Sequence, residues 1–352
     1  MTVDREVVMA AVPEPDPVVR VTSLDFPGEV TVSLDEEVPS RAGDWGDYVR
    51  AAVEVLSPTH DLSAGLRAVI GGDLPGAGLS SSAAVLVAYL LALTRVNGID
   101  IRREQVSSLV QRAENEYVGV DSGRLDQSMI LFAEPGHLTR VDCSDLSIEQ
   151  VPRPSEAGDF RVLVAYSGRS RALAASGFNA RVEECREAAR MLLELAGEEP
   201  RESPVLSDVA PDVFEQFIAE LPQTPRRRAA HYIGEQRRVQ CATEAWRQGD
   251  LGRFGALMVA SGASSIHNYE SGTSELVTLY ELLCASPGVY GTRFSGGGFG
   301  GSCIALIEPE AGEVVVDEVS RGYSAAHPEA ASAASFHVCR TGGPAQILDV
   351  EP

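Results

Sequence analysis

Lysine is absent from this 352-residue chain, so all 29 of its basic residues are arginines. The absence excludes mechanisms that need a lysine, including a Walker-A phosphate loop, the strand lysine of protein kinases and Schiff-base catalysis. Positive charge is also scarce, because 51 acidic residues leave a formal net charge of −22. Nucleic acids and anionic membranes require a positive protein surface, so we expect neither as a partner.

Several other features are missing, and each absence narrows the class of protein. No apolar run approaches the ~20 residues that cross a membrane, and the first residues do not resemble a signal peptide. The six cysteines have no CxxC spacing and the six histidines have no HExxH spacing, which argues against a structural zinc site. We therefore expect a cytoplasmic protein with reduced thiols, and we expect it to be a monomer.

The order of strand and helix patterns predicts an α+β fold with two lobes. Short β-branched segments up to Leu34, separated by prolines, predict an antiparallel sheet, and helical patterns follow them. The second half is mostly helical and ends in further strand patterns. A break at 152–158, rich in proline and glycine, predicts a domain boundary. We therefore divide the chain into an N-terminal domain of residues 1–155 and a C-terminal domain of residues 156–352.

A run of glycines and serines precedes a strongly apolar helix pattern. Glycines let a backbone approach a ligand closely, serines offer hydroxyl and N–H donors, and a helix N-terminus carries a partial positive charge. This combination predicts a phosphate-binding loop that needs no lysine. The alternative is an ordinary turn whose serines cap the helix, although one cap would suffice. The candidate nucleotide-binding residues are Gly76, Gly78, Leu79, Ser80, Ser81, Ser82 and Ala83.

A second glycine-rich run, Phe294–Ser302, lies between two strand patterns. Its five glycines among nine residues would weaken any regular element, so such a run is useful where a backbone packs against a ligand or another loop. The alternative is a hairpin connection, which usually takes only about two to five residues.

Two acidic residues are candidates for phosphoryl-transfer chemistry: Glu114 near the end of one helix pattern and Asp126 at the start of the next. That chemistry needs a Mg²⁺ ligand and a group that orients or deprotonates the attacking hydroxyl. Taken alone, both residues would more often be solvated charges on helix surfaces. Their interpretation therefore depends on the two glycine-rich runs.

These runs, in this order, resemble the motifs of the GHMP kinases, and among them those of the galactokinase branch. Ser80–Ala84 resembles the family's phosphate loop, and Gln111–Gly119 with Leu125–Gln127 resembles its metal and base segment. Leu173–Asn179 resembles the sugar-side segment, and Arg293–Gly301 resembles the third motif. Within the branch, Ser122–Leu131 and Pro287–Gly296 resemble the plant-type galacturonokinases most closely. Together these segments extend over nearly the whole chain.

The resemblance implies a two-lobed GHMP kinase fold with ATP and a sugar bound in the cleft between the lobes. It implies an ATP- and Mg²⁺-dependent sugar 1-kinase that acts on galactose or galacturonate. Ser82 and Glu114 would hold Mg²⁺, and Asp126 would be the catalytic residue beside the sugar hydroxyl. These roles follow from the resemblance and not from spacing alone.

The same resemblance implies which residues bind the sugar: Asp126, Arg171, Phe178, Gly296 and Gly297. Phe178 stands where galactokinases commonly have a tyrosine, so one hydrogen bond to the sugar would be missing. Arg169 and Arg171 are candidates for binding a galacturonate carboxylate, because the arginine fork matches a carboxylate.

The chain departs from the family pattern at its start. The family's first motif, an arginine-bearing segment with a Gly-Glu-His-x-Asp run, is not found, and Val3–Val8 resembles the family's segment just after that motif. We therefore expect the gene product to start upstream, and a catalytically weak or silent sugar sensor stays open as an alternative. Glu114 and Asp126 favour a kinase. A GHMP kinase for another small alcohol, such as homoserine or mevalonate, is a third hypothesis, against which Leu125–Gln127 and Arg293–Gly301 argue.

Overall fold

A computed structural model of the chain describes residues 1–74, 79–169, 176–199 and 201–349. Contacts between residues divide the chain into two compact units. The first unit comprises Met1–Gly76, Ser80–Gln150 and Thr341–Pro352, and the second comprises Ala77–Leu79 and Val151–Arg340. Each unit contains both strands and helices, as the predicted α+β class requires.

The first unit is built from a sheet packed against helices. Its elements, in chain order, are β1 (Val7–Glu14), β2 (Val18–Ser23), β3 (Glu29–Ser33), α1 (Asp47–Leu56), β4 (Gly65–Gly72), α2 (Ser81–Val96), α3 (Arg103–Arg112), α4 (Leu125–Phe132), β5 (His137–Val141) and β6 (Ile148–Pro152). A π-helical turn, Ala113–Val118, continues α3. β5 and β6 form a separate two-stranded ribbon.

The main sheet of the first unit has the strand order β1-β4-β2-β3. β1 pairs with β4 and β2 pairs with β3 in antiparallel fashion, whereas β2 and β4 are parallel. The predicted antiparallel sheet is therefore wrong for one pair of strands. The physical reason is the position of β4: after α1 it runs opposite to β3, but it inserts between β1 and β2 and so lies beside a strand of its own direction.

The core of the first unit anchors α2, the helix that follows the predicted phosphate loop. Leu86, Leu90 and Leu93 of α2 are at most 1% exposed and belong to the same buried cluster as Val21 of β2 and Leu66 of β4. Complete burial of one such side chain stabilises the fold by about 1.5–3 kcal/mol. The position of the α2 N-terminus within this unit is therefore fixed by packing.

The second unit contains a sheet with the strand order β10-β7-β9-β8, in which all neighbours are antiparallel. Its elements, in chain order, are β7 (Arg161–Tyr166), α5 (Ser176–Leu195), α6 (Pro211–Phe217), α7 (Gln223–Arg247), α8 (Leu251–Ser264), α9 (Ser274–Ala285), β8 (Val289–Phe294), β9 (Ser302–Ile307), α10 (Gly312–Ala326), α11 (Pro328–Ala331) and β10 (Ser335–Cys339). A π-helical turn, Ser265–Tyr269, continues α8. In the described parts of the chain, no helix is both long and apolar enough to cross a membrane.

The C-terminal segment departs from the sequence-based division, which assigns residues 156–352 to one domain. From Thr341 onward the chain packs with the first unit, where Thr341 pairs with Val3 and the Ala345 N–H donates to the Ile130 carbonyl at 2.7 Å. The first unit also ends at Gln150, inside β6 and before the division at 155, because the buried Val151 accepts a hydrogen bond from Trp246 Nε1 of α7 at 3.0 Å and so belongs to the second unit. Contacts between segments that are distant in the sequence decide both differences, and local sequence patterns do not record such contacts.

Candidate active site

The N-terminus of α2 carries the described part of the predicted phosphate loop. Ser80, which precedes the helix, has φ +58° and ψ +32°, a left-handed conformation that costs a non-glycine residue about 1–3 kcal/mol and is concentrated at functional sites. Among the described residues, the Ser80 side chain makes no capping hydrogen bond, so the interpretation as a serine-capped turn loses support. The Ala84 N–H donates to the Ser80 carbonyl at 3.0 Å, and the N–H groups of Ser81, Ser82 and Ala83 precede this first helical bond.

Three predicted site residues, Gly76, Gly78 and Arg171, lie outside the described residues. Leu79 is half-buried beside Ser80. The predictions for the three undescribed residues therefore rest on the sequence.

Glu114, in the predicted metal segment, contacts the predicted phosphate loop. It is only 7% exposed, in the π-helical turn after α3, a type of turn that is frequent at functional sites. The Ser82 hydroxyl donates to Glu114 Oε1 at 2.9 Å, and the Ser122 hydroxyl donates to Oε2 at 2.5 Å. The alternative interpretation of Glu114 as a solvated surface charge is therefore wrong.

Asp126 lies half-buried in the first turn of α4. Hydrogen bonds fix the segment that leads to it: Gln111 Nε2 donates to the Ser122 carbonyl at 3.2 Å, and Arg124 Nε donates to Gln111 Oε1 at 2.6 Å. Ser122 also contacts Glu114, so one hydrogen-bonded network holds both the buried glutamate and the start of the helix that carries Asp126.

The second glycine-rich run, Phe294–Ser302, connects the antiparallel strands β8 and β9, so it is a hairpin connection, but a long one. Gly296 is exposed and Gly298 is buried, with φ of +71° and +81°. A Cβ atom added at Gly297 would lie 3.0 Å from Cδ2 of Phe178 on α5. The structure therefore brings together Phe178 and the loop backbone, both of which the resemblance assigns to the sugar.

Hydrogen bonds within the second unit hold this loop on both sides. The Gly301 N–H donates to the Arg169 carbonyl at 2.9 Å, and the Ser167 hydroxyl donates to the Gly301 carbonyl at 2.7 Å. On the other side, the Gly272 N–H donates to the Gly298 carbonyl at 3.0 Å. The conformation of the loop therefore depends on the turn that contains Gly272.

Arg169, one of the two arginines considered for a carboxylate, already has a partner. Its Nε donates to Glu275 Oε1 of α9 at 3.2 Å, and its side chain is 52% exposed. This pairing counts against Arg169 as the residue that binds a carboxylate, and the prediction for Arg171 rests on the sequence.

Sequence reasoning missed a buried arginine in the second unit. Arg228 of α7 is 1% exposed, and it donates to Glu184 Oε2 at 2.5 Å, to the Asn268 carbonyl at 2.5 Å and to Glu270 Oε2 at 2.8 Å. The hydrogen bond from Arg228 is the main reason that the pKa of the Glu270 carboxyl lies below its ordinary value. In the sequence, the three arginines at 226–228 look like a solvated helix surface, and no pattern marks one of them as buried.

We expect Gly298→Ala to destabilise the protein, because its backbone conformation and its surroundings both oppose a side chain. A left-handed φ costs an L-residue about 1–2 kcal/mol, and the added Cβ would lie 2.9 Å from Ser271 Oγ and 3.0 Å from the Phe294 ring. Urea unfolding would measure the loss. Gly158→Ala, where φ is ordinary and nothing lies within 4 Å, is the matched control and should change little. Equal stability of both variants would contradict the expectation.

Comparison with known proteins agrees with this geometry. The family model described as "GHMP kinases N terminal domain" matches residues 47–134, and "GHMP kinases C terminal" matches residues 242–325. The galacturonokinase of Arabidopsis thaliana is 39% identical to the chain over 372 residues, covering 99% of the chain and 88% of that protein. The chain belongs to the GHMP kinase family. This kinase is also 36% identical to the galactokinase of Chloroflexus aurantiacus, with 92% of the chain and 82% of that protein covered.

Solved structures lead to the same family. The crystal structure of Lactococcus lactis galactokinase complexed with galactose matches with a TM-score of 0.88 at 30% identity, covering 98% of the chain and 88% of that structure. A mevalonate kinase structure matches at 14% identity with a TM-score of 0.61, which shows the fold alone. The predicted GHMP kinase fold is therefore confirmed, and so is the prediction of an ATP-dependent kinase of this family.

Proposed function

We propose that this kinase transfers the γ-phosphoryl group of ATP to the anomeric hydroxyl of a galactose-type sugar, either galacturonate or galactose. The observation that carries the proposal is the contact between Ser82 and Glu114 at the start of α2. This contact places two oxygen atoms that suit a cation, one from each side chain, beside a helix N-terminus that suits phosphate. The similarity to a galacturonokinase and to galactokinases over most of the chain supports the sugar as acceptor.

The α2 N-terminus would bind the triphosphate of ATP. The N–H groups of Ser81, Ser82 and Ala83 precede the first helical hydrogen bond, and a helix N-terminus carries roughly half a positive charge. The chain has no lysine to contribute at the phosphates. The backbone from Leu79 to Ala83, together with Gly76 and Gly78, would therefore bind the phosphates in place of a lysine.

Ser82 and Glu114 fit the requirements of a Mg²⁺ site. Two ligands at 2.0–2.1 Å in adjacent octahedral positions are about 2.9 Å apart, and the Ser82 hydroxyl lies 2.9 Å from Glu114 Oε1. Among the described residues, no cluster of three or more His, Cys, Asp or Glu side chains is found. This matches Mg²⁺, which usually takes one or two protein oxygens and completes its shell with water and phosphate. When bound, it would neutralise charge on the β- and γ-phosphate oxygens.

Asp126 would act on the sugar hydroxyl. It would orient the anomeric O–H or accept its proton while the anomeric oxygen attacks the γ-phosphorus. The bond from the γ-phosphorus to the β,γ-bridging oxygen breaks, and ADP leaves with its electron pair. The network through Ser122, Gln111 and Arg124 would hold the start of α4, and therefore Asp126, in place during this step.

Phe178, Gly296 and Gly297 would form the sugar side of the site. The Phe178 ring lies against the backbone of Gly297, and it offers apolar surface to a sugar but no hydroxyl group. Arg171 would supply the charge that a galacturonate carboxylate needs, since Arg169 is paired with Glu275. The choice between the two sugars depends on this arginine.

A direct assay tests the proposed function. Purified protein is incubated with ATP, Mg²⁺ and one acceptor at a time: galacturonate, galactose, homoserine or mevalonate. We expect a sugar 1-phosphate, which ³¹P NMR identifies, and no product from the two non-sugar alcohols. Phosphorylation of homoserine or mevalonate in preference to both sugars would contradict the proposal.

We expect Arg171→Gln to lower kcat/KM for galacturonate by about 10- to 100-fold and to change galactose turnover much less. A hydrogen bond to a charged group contributes about 1.5–3 kcal/mol, and only galacturonate carries the carboxylate. Arg169→Gln is the matched control, because Arg169 is already paired with Glu275. An equal loss for both sugars would show that Arg171 does not recognise the carboxylate.

A further inference from the structure

Ser122 has a place in the site that the family comparison does not assign to it. Its hydroxyl donates to Glu114 Oε2 at 2.5 Å, on the side of the carboxylate opposite to the bond from Ser82. Its own backbone is fixed as well, because the Ser122 N–H donates to Asn115 Oδ1 at 3.1 Å and its carbonyl accepts from Gln111 Nε2 at 3.2 Å. The backbone that carries the hydroxyl is therefore fixed by hydrogen bonds at both the N–H and the carbonyl of Ser122.

The two serines give the two oxygens of Glu114 different roles. Oε1 lies beside Ser82, the other oxygen suited to a cation, while Oε2 is engaged by Ser122. A carboxylate whose second oxygen accepts a strong hydrogen bond is directed towards binding a cation through one oxygen. This matters because Mg²⁺ demands compact octahedral geometry, whereas the larger Ca²⁺ readily accepts a carboxylate through both oxygens.

We propose that Ser122 is a positioning residue that makes the cation site selective for Mg²⁺ over Ca²⁺ by keeping Glu114 monodentate. The inference rests on the proposed function, because the cation is the one that would accompany ATP. Ser122 does not touch the cation. It acts through Glu114, as hydrogen-bonding partners of metal ligands commonly do.

The test measures binding rather than turnover. The dissociation constant of a non-hydrolysable ATP analogue is determined by calorimetry with Mg²⁺ and, separately, with Ca²⁺, for wild type and for Ser122→Ala. Loss of a hydrogen-bonding partner of a metal ligand typically weakens metal affinity about 10- to 100-fold. We expect a loss of this size with Mg²⁺ and a much smaller one with Ca²⁺, so that the preference for Mg²⁺ falls at least about tenfold.

Two further variants separate this role from simple loosening of the segment. Ser122→Thr keeps the hydroxyl and should restore the preference for Mg²⁺. Ser108→Ala removes a hydroxyl that donates to the Glu104 carbonyl of its own helix at 3.0 Å, and it should leave the preference unchanged. If Ser122→Ala kept the wild-type preference for Mg²⁺ over Ca²⁺, whether analogue binding weakened equally with both cations or with neither, the inference would be overturned and the proposed function would stand. A wild-type protein whose analogue binding does not depend on any divalent cation would overturn both.

Discussion

Asp126→Asn should retain nucleotide binding and lose most of the turnover. Asparagine has nearly the same shape as aspartate but cannot accept the proton of the anomeric hydroxyl, and a general base contributes about 10²–10⁴-fold to a rate. Asp126 is half-buried at the start of α4, where the exchange keeps the helix intact. Steady-state kinetics with the preferred sugar, together with calorimetric titration of an ATP analogue, would measure the two effects separately.

Asp100→Asn is a suitable control for this variant, because Asp100 is an exposed residue between α2 and α3. It should keep the turnover of the wild type. If Asp126→Asn also kept a kcat close to that of the wild type, Asp126 would have no catalytic role. A wild-type protein that binds nucleotide and sugar but transfers no phosphate would instead support the sensor hypothesis.

The helix and strand order could be predicted from the sequence because apolar periodicity records it locally. The parallel pairing of β2 with β4 could not, because it depends on where α1 returns the chain to the sheet. The periodicity between Ile101 and Tyr117 predicts one continuous helix, whereas the structure has α3 followed by the π-helical turn Ala113–Val118. The extra residue in this single π-helical turn is too small a change to show in the apolar pattern, but it changes the direction in which Glu114 leaves the helix.

The residues that we propose for the chemistry are easier to recognise in the sequence than those that hold them in place. Ser82 and Glu114 belong to motifs of characteristic composition, and the structure places their oxygens 2.9 Å apart. Arg228 shows no such pattern, and Ser122 begins a segment that resembles the galacturonokinases without any feature that marks its contact with Glu114. A serine in a loop and an arginine in a basic run are ordinary residues until their neighbours in space are known. Positioning residues act through contacts between distant segments, and these contacts appear only in the fold.

Arg228→Met should cause the largest loss of stability among the substitutions considered. The arginine is 1% exposed and is the common partner of Glu184 and Glu270. Its removal takes away the buried cation between the two carboxylates, although Glu184 keeps its pair with Arg181 and Glu270 keeps its pair with Arg227. Breaking a buried ion pair typically costs about 3–5 kcal/mol. Both glutamates are partly exposed, so we expect the lower end, about 3 kcal/mol, in urea unfolding near neutral pH.

The matched control lies on the same helix. Arg237 pairs with Glu215 at 3.1 Å, but both side chains are well exposed, so Arg237→Met should cost at most about 1 kcal/mol. A second control uses charge: Glu270→Gln should cost less stability in Arg228→Met than in wild type, because its buried partner is already gone and the pair with Arg227 is the one that remains to be lost. Similar small losses for Arg228→Met and Arg237→Met would show that burial of Arg228 contributes nothing.

The stability loss of Arg228→Met should also depend on pH. Arg228 holds the pKa of the Glu270 carboxyl below its ordinary value of 4.5, so the pair stabilises the fold above that value. The contribution is lost as the pH falls through the lowered pKa, where Glu270 is protonated in both states. The gap in unfolding free energy between wild type and Arg228→Met should therefore be wide at pH 7 and narrow towards pH 3. A gap that stays constant over this range would mean that Arg228 stabilises the protein by packing and not by charge.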